Sequence, residues 1–186
     1  MTASGFALFE TALGACAIAW GGNGIVGVHL PEATAGRSRE RIQRRFASAA
    51  EAAPTPDVQR AIEGIVALLG GERVDLSALT LDMGAVSAFD RGVYAVARQI
   101  EPGSTLTYGQ VAARLGDARL ARDVGQALGR NPFAIVVPCH RVLAADGRLG
   151  GFSAAGGAAT KQRLLAIEGA RSDSEPGLFD NLSDRA

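Results

Sequence analysis

The chain has 186 residues, of which 47 % are hydrophobic, 20 % charged and 5 % aromatic, with 19 basic and 19 acidic side chains. That composition builds one domain of ordinary size or two small ones, and it excludes both intrinsic disorder and a strongly basic nucleic-acid tail. The charge is nonetheless uneven: residues 1–88 carry 7 basic and 9 acidic groups, residues 89–170 carry 10 and 6, and residues 171–186 carry 2 and 4. An anionic partner can use the cation excess of the middle block. Arginine supplies 18 of the 19 basic residues, and Lys161 is the single lysine. Cys16 and Cys139 lie far apart, so no disulfide framework is indicated and a reducing compartment is expected. With His29 and His140 the only histidines, no pair has zinc-site spacing, and no metal is expected. The amino-terminal stretch has neither a basic segment nor a cleavage-like site. Its longest apolar run, 12–20, is broken by Gly14 and too short to span a bilayer. A soluble, cytoplasmic protein without a membrane partner is expected.

Taken in chain order, residues 5–10 and 14–20 read as strands carrying Phe6, Leu8, Ile18 and Trp20. Gly21-Gly22-Asn23-Gly24 is a hairpin signal, and 25–30 forms a third strand closed by Pro31. The Arg- and Ala-rich stretch 38–53, with Ile42 and Phe46 one turn apart, predicts a solvent-facing helix. Pro54-Thr55-Pro56-Asp57 starts another, whose Ile62, Ile65, Val66 and Leu69 keep helical spacing up to Gly70-Gly71. Residues 79–83 suggest a last strand. The first 85 residues therefore predict an α/β domain, a small sheet with helices, holding no catalytic constellation.

In the second half, Ser87 caps a helix with Phe89, Val93, Val96 and Ile100 on one stripe. Thr107 opens a helix over 108–115 with Gln110 completing a capping box, and a third helix covers 118–129 before Asn131-Pro132. Two short helices about a Gly-containing turn fit a helix-turn-helix, a pattern that elsewhere merely packs a core. The apolar run Ala134-Ile135-Val136-Val137 reads as a buried strand delivering Cys139 to a turn. Ala145-Asp146-Gly147-Arg148 reads as a hairpin turn, 150–157 is Gly-rich, and 158–168 is a last helix stopped by Gly169. Residues 171–186, including Gly177-Leu178-Phe179, have the composition of a flexible tail.

A free cysteine is most often a small buried hydrophobe, and Cys16 in its alternating strand reads that way. Cys139 has His140 and Arg141 beside it, which can supply the base or the positive field that a thiolate needs. Neighbours on an extended segment point opposite ways, so His140 would reach Cys139 only through water or a bend. A carboxylate to orient the imidazole would come from Asp146 or Glu168, the local acids. On these residues alone, a packing role and a nucleophile both stay open.

The larger motif goes further. Ile135-Val136-Val137-Pro138-Cys139-His140-Arg141-Val142 resembles the active-site signature of the O6-alkylguanine-DNA alkyltransferases, the methylated-DNA–protein-cysteine methyltransferases. Thr107-Tyr108-Gly109-Gln110-Val111-Ala112 is similar to that family's first helix-turn-helix helix. Arg122-Asp123-Val124-Gly125 and Gly129-Arg130-Asn131-Pro132 resemble its recognition helix and the following turn. Gly150-Gly151-Phe152-Ser153, Lys161, Leu164-Leu165 and Glu168-Gly169 resemble its closing loop and last helix. The resemblance covers 86–170, and the first half is compatible with the family's less constrained α/β domain.

What the resemblance implies is a domain over 1–85, a mainly α, winged-helix-like DNA-binding and alkyltransferase domain with a helix-turn-helix over 86–170, and a tail over 171–186. The partner would be double-stranded DNA containing O6-alkylguanine, with O4-alkylthymine as a further candidate. The damaged base would be flipped out of the duplex, since its O6 is otherwise inside the stack. Cys139 would take the alkyl group irreversibly, once per molecule, as a monomer and without a cofactor. Glu168 would orient His140, which accepts the thiol proton through water. Arg122 would fill the gap in the stack, where the residues alone suggest an ion pair with Asp123 or Asp117. Tyr108 would crowd the target phosphate and donate to the base, and the loop holding Ser153 would support the leaving oxygen. The carbonyls of Cys139 and Val142 would recognise the exocyclic amine, Asn131 would tie the turn beneath the site, and Arg141 would be a buried structural partner. Ala134 stands where some members carry a proline, and Ala154-Ala155 lengthens the Gly-rich loop. Two other readings are a non-catalytic alkylated-DNA sensor and a cysteine hydrolase using Cys139, His140 and Glu168. The second leaves Tyr108 and Arg122 unexplained.

Overall fold

The computed structural model describes residues 2–170. Strands β1 (Gly5–Thr11), β2 (Gly14–Gly21) and β3 (Gly24–His29) form an antiparallel meander, and β4 (Ala50–Glu51) joins β1 in parallel to give the order β3-β2-β1-β4. The period of two along a strand splits β2 between two environments. Ala17 and Ala19 face a small cluster with Phe6, Val26, Ile42 and Phe46, whereas Cys16, Ile18 and Trp20 enter the main core. Both faces are covered, which is why β2 is buried along its interior. The β2–β3 turn is where the glycine run predicts it. Gly24 has φ +117°, and a Cβ there would lie 2.6 Å from the Thr80 carbonyl oxygen.

Helix α1 (Ala35–Arg45) is shorter than the predicted 38–53. Thr34 caps it, accepting from the Arg37 N–H, and at Phe46 the backbone leaves helical geometry. The chain then turns back to β1: the Ala50 N–H donates to the Ser4 carbonyl and the Ala52 N–H to that of Phe6. Sheet pairing thus overrides helix propensity. Helix α2 (Pro56–Leu69) starts at its Thr55 cap, with Pro56 at the first position where no backbone donor is needed. Residues 79–83 do not make a strand. Only Leu81 bridges Ile25, while Arg98 holds the preceding segment in turns by donating to the Leu76 and Leu79 carbonyls.

Helix α3 (Ala88–Arg98) begins at Ser87 and buries Tyr94, whose hydroxyl donates to the Ala127 carbonyl at 3.0 Å. Leu106–Thr107 forms β5, α4 spans Tyr108–Arg114, and α5 spans Ala121–Gly129. The predicted helix over 118–129 is in fact split: Ala118–Leu120 is a 3₁₀ turn capped by Asp117, and α5 follows it. Cys139–Arg141 is a second 3₁₀ turn. Val142–Leu143 forms β6, parallel to β5, and α6 spans Gly157–Ile167. Among the described residues the result is a small four-stranded sheet, a two-stranded one and six helices, an α/β layout. Among the described residues no helix is long and apolar enough to cross a membrane. Residues 171–186, including Gly177-Leu178-Phe179, lie outside the described part.

Of the run 134–137, Ile135, Val136 and Val137 are buried as predicted and Ala134 partly so, but the run is not a strand. Phe133 alone bridges Val28, flanked by hydrogen bonds from the Val28 N–H to the Pro132 carbonyl and from the Ala134 N–H to the Val28 carbonyl. Beyond it the chain coils into tight turns. Ile135 has φ +71°, the Val137 N–H reaches the Phe133 carbonyl at 2.8 Å, and the Cys139 N–H reaches that of Val137 at 2.8 Å. A β-branched residue in the left-handed region costs on the order of 1–3 kcal/mol, tolerated here because its side chain is anchored in the core. The turn at 145–148 closes as predicted, with the Ala144 N–H on the Arg148 carbonyl, although of its flanks only Val142–Leu143 is a strand.

Phe133 is therefore the joint between the sheet and the cysteine loop, fully buried and packed edge-on against Tyr94 with ring centroids 6.4 Å apart. Phe133→Ala should lower unfolding free energy by about 3–5 kcal/mol. Urea denaturation would measure it, and a loss below about 1 kcal/mol would mean that the loop is held by other contacts.

Candidate active site

Pro138 fixes the backbone before Cys139, and the Arg141 N–H closes onto the Pro138 carbonyl at 2.9 Å. The Val142 N–H then donates to the Cys139 carbonyl. Cys139 and His140 are thus neighbours on one tight turn, not on an extended segment. The thiol is half-buried while the imidazole is enclosed. Asn131 braces the approach: its side-chain amide donates to the Val137 carbonyl and its side-chain oxygen accepts from the Phe133 N–H, both at 2.9 Å.

Behind the turn lies a buried ion cluster. Glu168 follows α6, with Oε1 3.0 Å from His140 Nε2. The Arg141 guanidinium grips both carboxylate oxygens, Nε to Oε2 and Nη2 to Oε1 at 2.8 Å each, and a further nitrogen donates to the Ile100 carbonyl. The His140 and Glu168 side chains are 1 % and 3 % exposed. Burial alone would raise the Glu168 pKa, but the hydrogen bonds and charges of His140 and Arg141 outweigh it and hold the acid at about 2. Burial lowers the His140 pKa more strongly than Glu168 raises it, so the ring is neutral. A neutral imidazole facing a carboxylate carries its proton on Nε2, which leaves a lone pair on Nδ1. That atom is buried without a hydrogen-bond partner. The arrangement is an oriented base with a free lone pair, one residue from the thiol.

The thiol itself is pushed up by burial, against the opposing effects of the neighbouring Asn131 amide and the Lys161 charge. Lys161 sits wholly buried on α6. Its Nζ donates to the Val142 carbonyl at 2.6 Å and lies 5.7 Å from the centroid of the Tyr108 ring. Burial lowers its pKa to about 8. The sequence places Lys161 only within a motif. Its standing as the one lysine among 19 basic residues is the signal that marked it out.

Cys139 opens into a cavity of about 540 Å³, lined also by Tyr108, Arg122, Gly125, Phe152 and Ser153. Tyr108 is the first residue of α4, held by the Thr107–Gln110 capping box. Burial, then the Cys139 charge, raises its pKa, so the phenol stays protonated and can donate. Gly150, at φ +66°, passes so near that a Cβ would lie 3.4 Å from the Tyr108 hydroxyl. Arg122 lies exposed on α5 and makes no ion pair among the described residues; Asp117 is bound instead by Arg119 at 2.8 Å. The structure thus gathers Cys139, Tyr108, Arg122 and Ser153 around one cavity, with His140 and Glu168 behind it and Asn131 beneath. The Val142 and Cys139 carbonyls each already accept one hydrogen bond and keep a second lone pair. Among the described residues no group of three or more His, Cys, Asp or Glu could hold a metal ion.

A thiol with an oriented base one residue away, opening beside a helix pair whose Arg122 makes no ion pair among the described residues, defines a nucleophilic cysteine site. The family described as 6-O-methylguanine DNA methyltransferase, DNA binding domain, matches residues 88–170. The methylated-DNA–protein-cysteine methyltransferase of Methanothermobacter thermautotrophicus is 36 % identical over 152 residues, 82 % of this chain and 78 % of that one. The crystal structure of the Mycobacterium tuberculosis O6-methylguanine methyltransferase aligns with TM-score 0.70 and 30 % identity over 95 % of this chain and 99 % of that one. Mycobacterium tuberculosis OGT in complex with DNA aligns with TM-score 0.70 and 30 % identity over 88 % and 92 %. The chain belongs to the methylated-DNA–protein-cysteine methyltransferase family.

The ion cluster carries a pH signature. The folded pKa of Glu168 is depressed, so the unfolded chain binds the extra proton first as pH falls. Its contribution is fully present above the ordinary carboxylate pKa near 4.5 and is lost as pH drops toward about 2. It amounts to about 3 kcal/mol. Glu168→Gln should be less stable than wild type at neutral pH, by about 3–5 kcal/mol, because Arg141 is left buried and unpaired. Its stability should also fall less steeply between pH 4.5 and 2. Parallel acid limbs in denaturation curves of the two proteins would contradict this.

Proposed function

We propose that this chain repairs DNA by direct, irreversible transfer of a methyl or other alkyl group from O6 of guanine to Cys139, once per molecule. What carries the reading is the half-buried thiol in the Tyr108–Arg122 cavity, backed by the His140–Glu168–Arg141 cluster. The relative solved in complex with DNA supports DNA as the partner. Residues 1–85 are read as the α/β domain and 86–170 as the winged-helix-like, DNA-binding and transferring one, with α4 and α5 as its helix-turn-helix. A monomer in the reducing cytoplasm, where Cys139 stays a free thiol, fits the chemistry.

In this mechanism α5 lies along the duplex and Arg122, without an acidic partner among the described residues, stacks in place of the flipped nucleotide. Small residues at Gly109 and Gly125 let the two helices approach the backbone. The base enters the cavity under Tyr108, whose protonated phenol donates to it, while the spare lone pairs of the Cys139 and Val142 carbonyls accept from its exocyclic amine. The thiol proton passes through a water to Nδ1 of His140, and the ionised Glu168 stabilises the imidazolium that forms. Lys161 adds a positive field beside the nascent thiolate. The thiolate sulfur then forms the S–C bond as the C–O bond breaks, and the electron pair leaves on guanine O6, with Ser153 on the loop beside it. The thioether has no route back, so the protein is consumed.

The decisive measurement is intact-protein mass after mixing with one equivalent of duplex bearing a single O6-methylguanine. Gain of one methyl at Cys139, saturating at one per protein, is expected; unchanged mass from protein that still binds the duplex would make it a sensor. Arg122→Ala should slow capture from duplex by about 10- to 100-fold, the worth of one stacking contact, and leave reaction with free O6-methylguanine base unchanged. Equal losses would remove Arg122 from the stack-filling role. Cys139→Ala should keep its affinity for duplex, since phosphate contacts and stacking carry it. Loss of binding would make Cys139 structural.

A further inference from the structure

Helix α3 holds the last turn of α5 with two side chains set one turn apart. The Tyr94 hydroxyl donates to the Ala127 carbonyl at 3.0 Å. Asp90 takes Arg130, the residue that closes α5, in a two-point grip: Nη2 donates to Oδ1 at 2.9 Å and Nε to Oδ2 at 3.3 Å. The Asp90 side chain is 10 % exposed and that of Arg130 57 %. Asp90 is itself fixed in place. Its N–H donates to the Ser87 cap, and its charge lies in the first turn of α3, where the helix dipole favours an anion. The other end of α5 has no comparable restraint, because Leu120 stands at the N-cap without a side-chain hydrogen bond. The exposed Arg122 sits at that end, about 12 Å along the axis from Arg130. On an arm of that length a tilt of about 5° moves Arg122 by about 1 Å. Asn131, next in the chain, ties the same joint to the cysteine loop through the Val137 carbonyl and the Phe133 N–H. One joint therefore sets where Arg122 stands relative to Cys139.

We infer that Asp90 is a positioning residue for transfer from duplex DNA: through Arg130 it fixes the tilt of α5, and with it the place of Arg122 in the stack. The inference rests on the alkyl-transfer reading and adds to it a residue that acts only through another. Misplacement by about 1 Å can cost a reaction up to about a hundredfold. The sign of the effect separates positioning from plain electrostatics. Asp90 is an acid in the block of the chain that carries the cation excess. If it acted by charge alone, its removal would strengthen attraction to a polyanion. As a positioning residue, its removal weakens capture instead. A free base has no stack to fill, so reaction with it is blind to the tilt of α5.

The test uses full-length protein and single-turnover rates read by intact mass, on duplex bearing one O6-methylguanine and on free O6-methylguanine base. Asp90→Asn should slow capture from duplex about tenfold and change the free-base rate by less than about twofold. Arg130→Gln cuts the same pair from its exposed side, where the fold is least at risk, and should show the same split. The double variant should be no slower than either single one, since the two residues act as a unit, and Asp90→Glu should recover part of the duplex rate. Unchanged or faster capture by Asp90→Asn would overturn the inference and leave alkyl transfer intact. Equal losses on duplex and free base would also overturn it, making the pair purely structural. So would a loss confined to Arg130→Gln together with a salt dependence of duplex affinity shallower by about one unit, which would place Arg130 on a phosphate. Absence of methyl transfer from wild type would overturn the proposed function, and this inference with it.

Discussion

A carboxylate persists inside a protein only if its charge is met on nearly every side, and Glu168 meets that condition through two neighbours in sequence, His140 and Arg141. The requirement has geometric consequences. Arg141 must reach both carboxylate oxygens while a further nitrogen binds the Ile100 carbonyl, so the end of α3, the cysteine turn and the end of α6 are fixed relative to one another. Once they are fixed, β6 has its place beside β5, and Lys161 on α6 falls against the Val142 carbonyl. The thiol is presented by a turn whose flanks are pinned by charge. The same ion that costs most to bury also sets the proton position on His140. One interaction thus serves both architecture and chemistry, with the guanidinium carrying the structural part.

The sheet contributes by a different physics. Val28 exchanges backbone hydrogen bonds with Pro132 and Ala134, on either side of Phe133, across the two halves of the chain, and the main core runs without interruption from β2 through α2 to the cysteine loop. Dense packing leaves the loop few alternatives, which is how Ile135 is kept at a positive φ. The N-terminal elements therefore buttress the site although they contain none of its reacting groups.

Much of this was legible in the sequence, for identifiable reasons. Glycine and capping signals are local, so the Gly21–Gly24 turn and the Thr107–Gln110 box stand where they were read. The reach of α1 and the conformation of 134–137 were not legible, because both are set by partners far away in sequence. Ala50 pairs with β1, and four apolar residues in a row look alike whether they form a strand or coil through turns around a buried core. The residues left Asp146 and Glu168 both open as the acid facing His140, and the family resemblance alone chose Glu168, since a separation of 28 positions follows no spacing rule. The resemblance left Lys161 as a mark in a motif, and its contact with Val142 became visible only in three dimensions.

Lys161 has one more consequence. It is the only lysine in the chain and its side chain is fully enclosed. Reagents that acylate primary amines therefore find no accessible lysine on the folded protein. A lysine-specific protease likewise has a single site, inside α6 and behind the carbonyl that its ammonium group binds. Cleavage there reports the opening of the last helix, alone or with the whole fold, so the chain carries an internal gauge of how often its active-site helix comes loose.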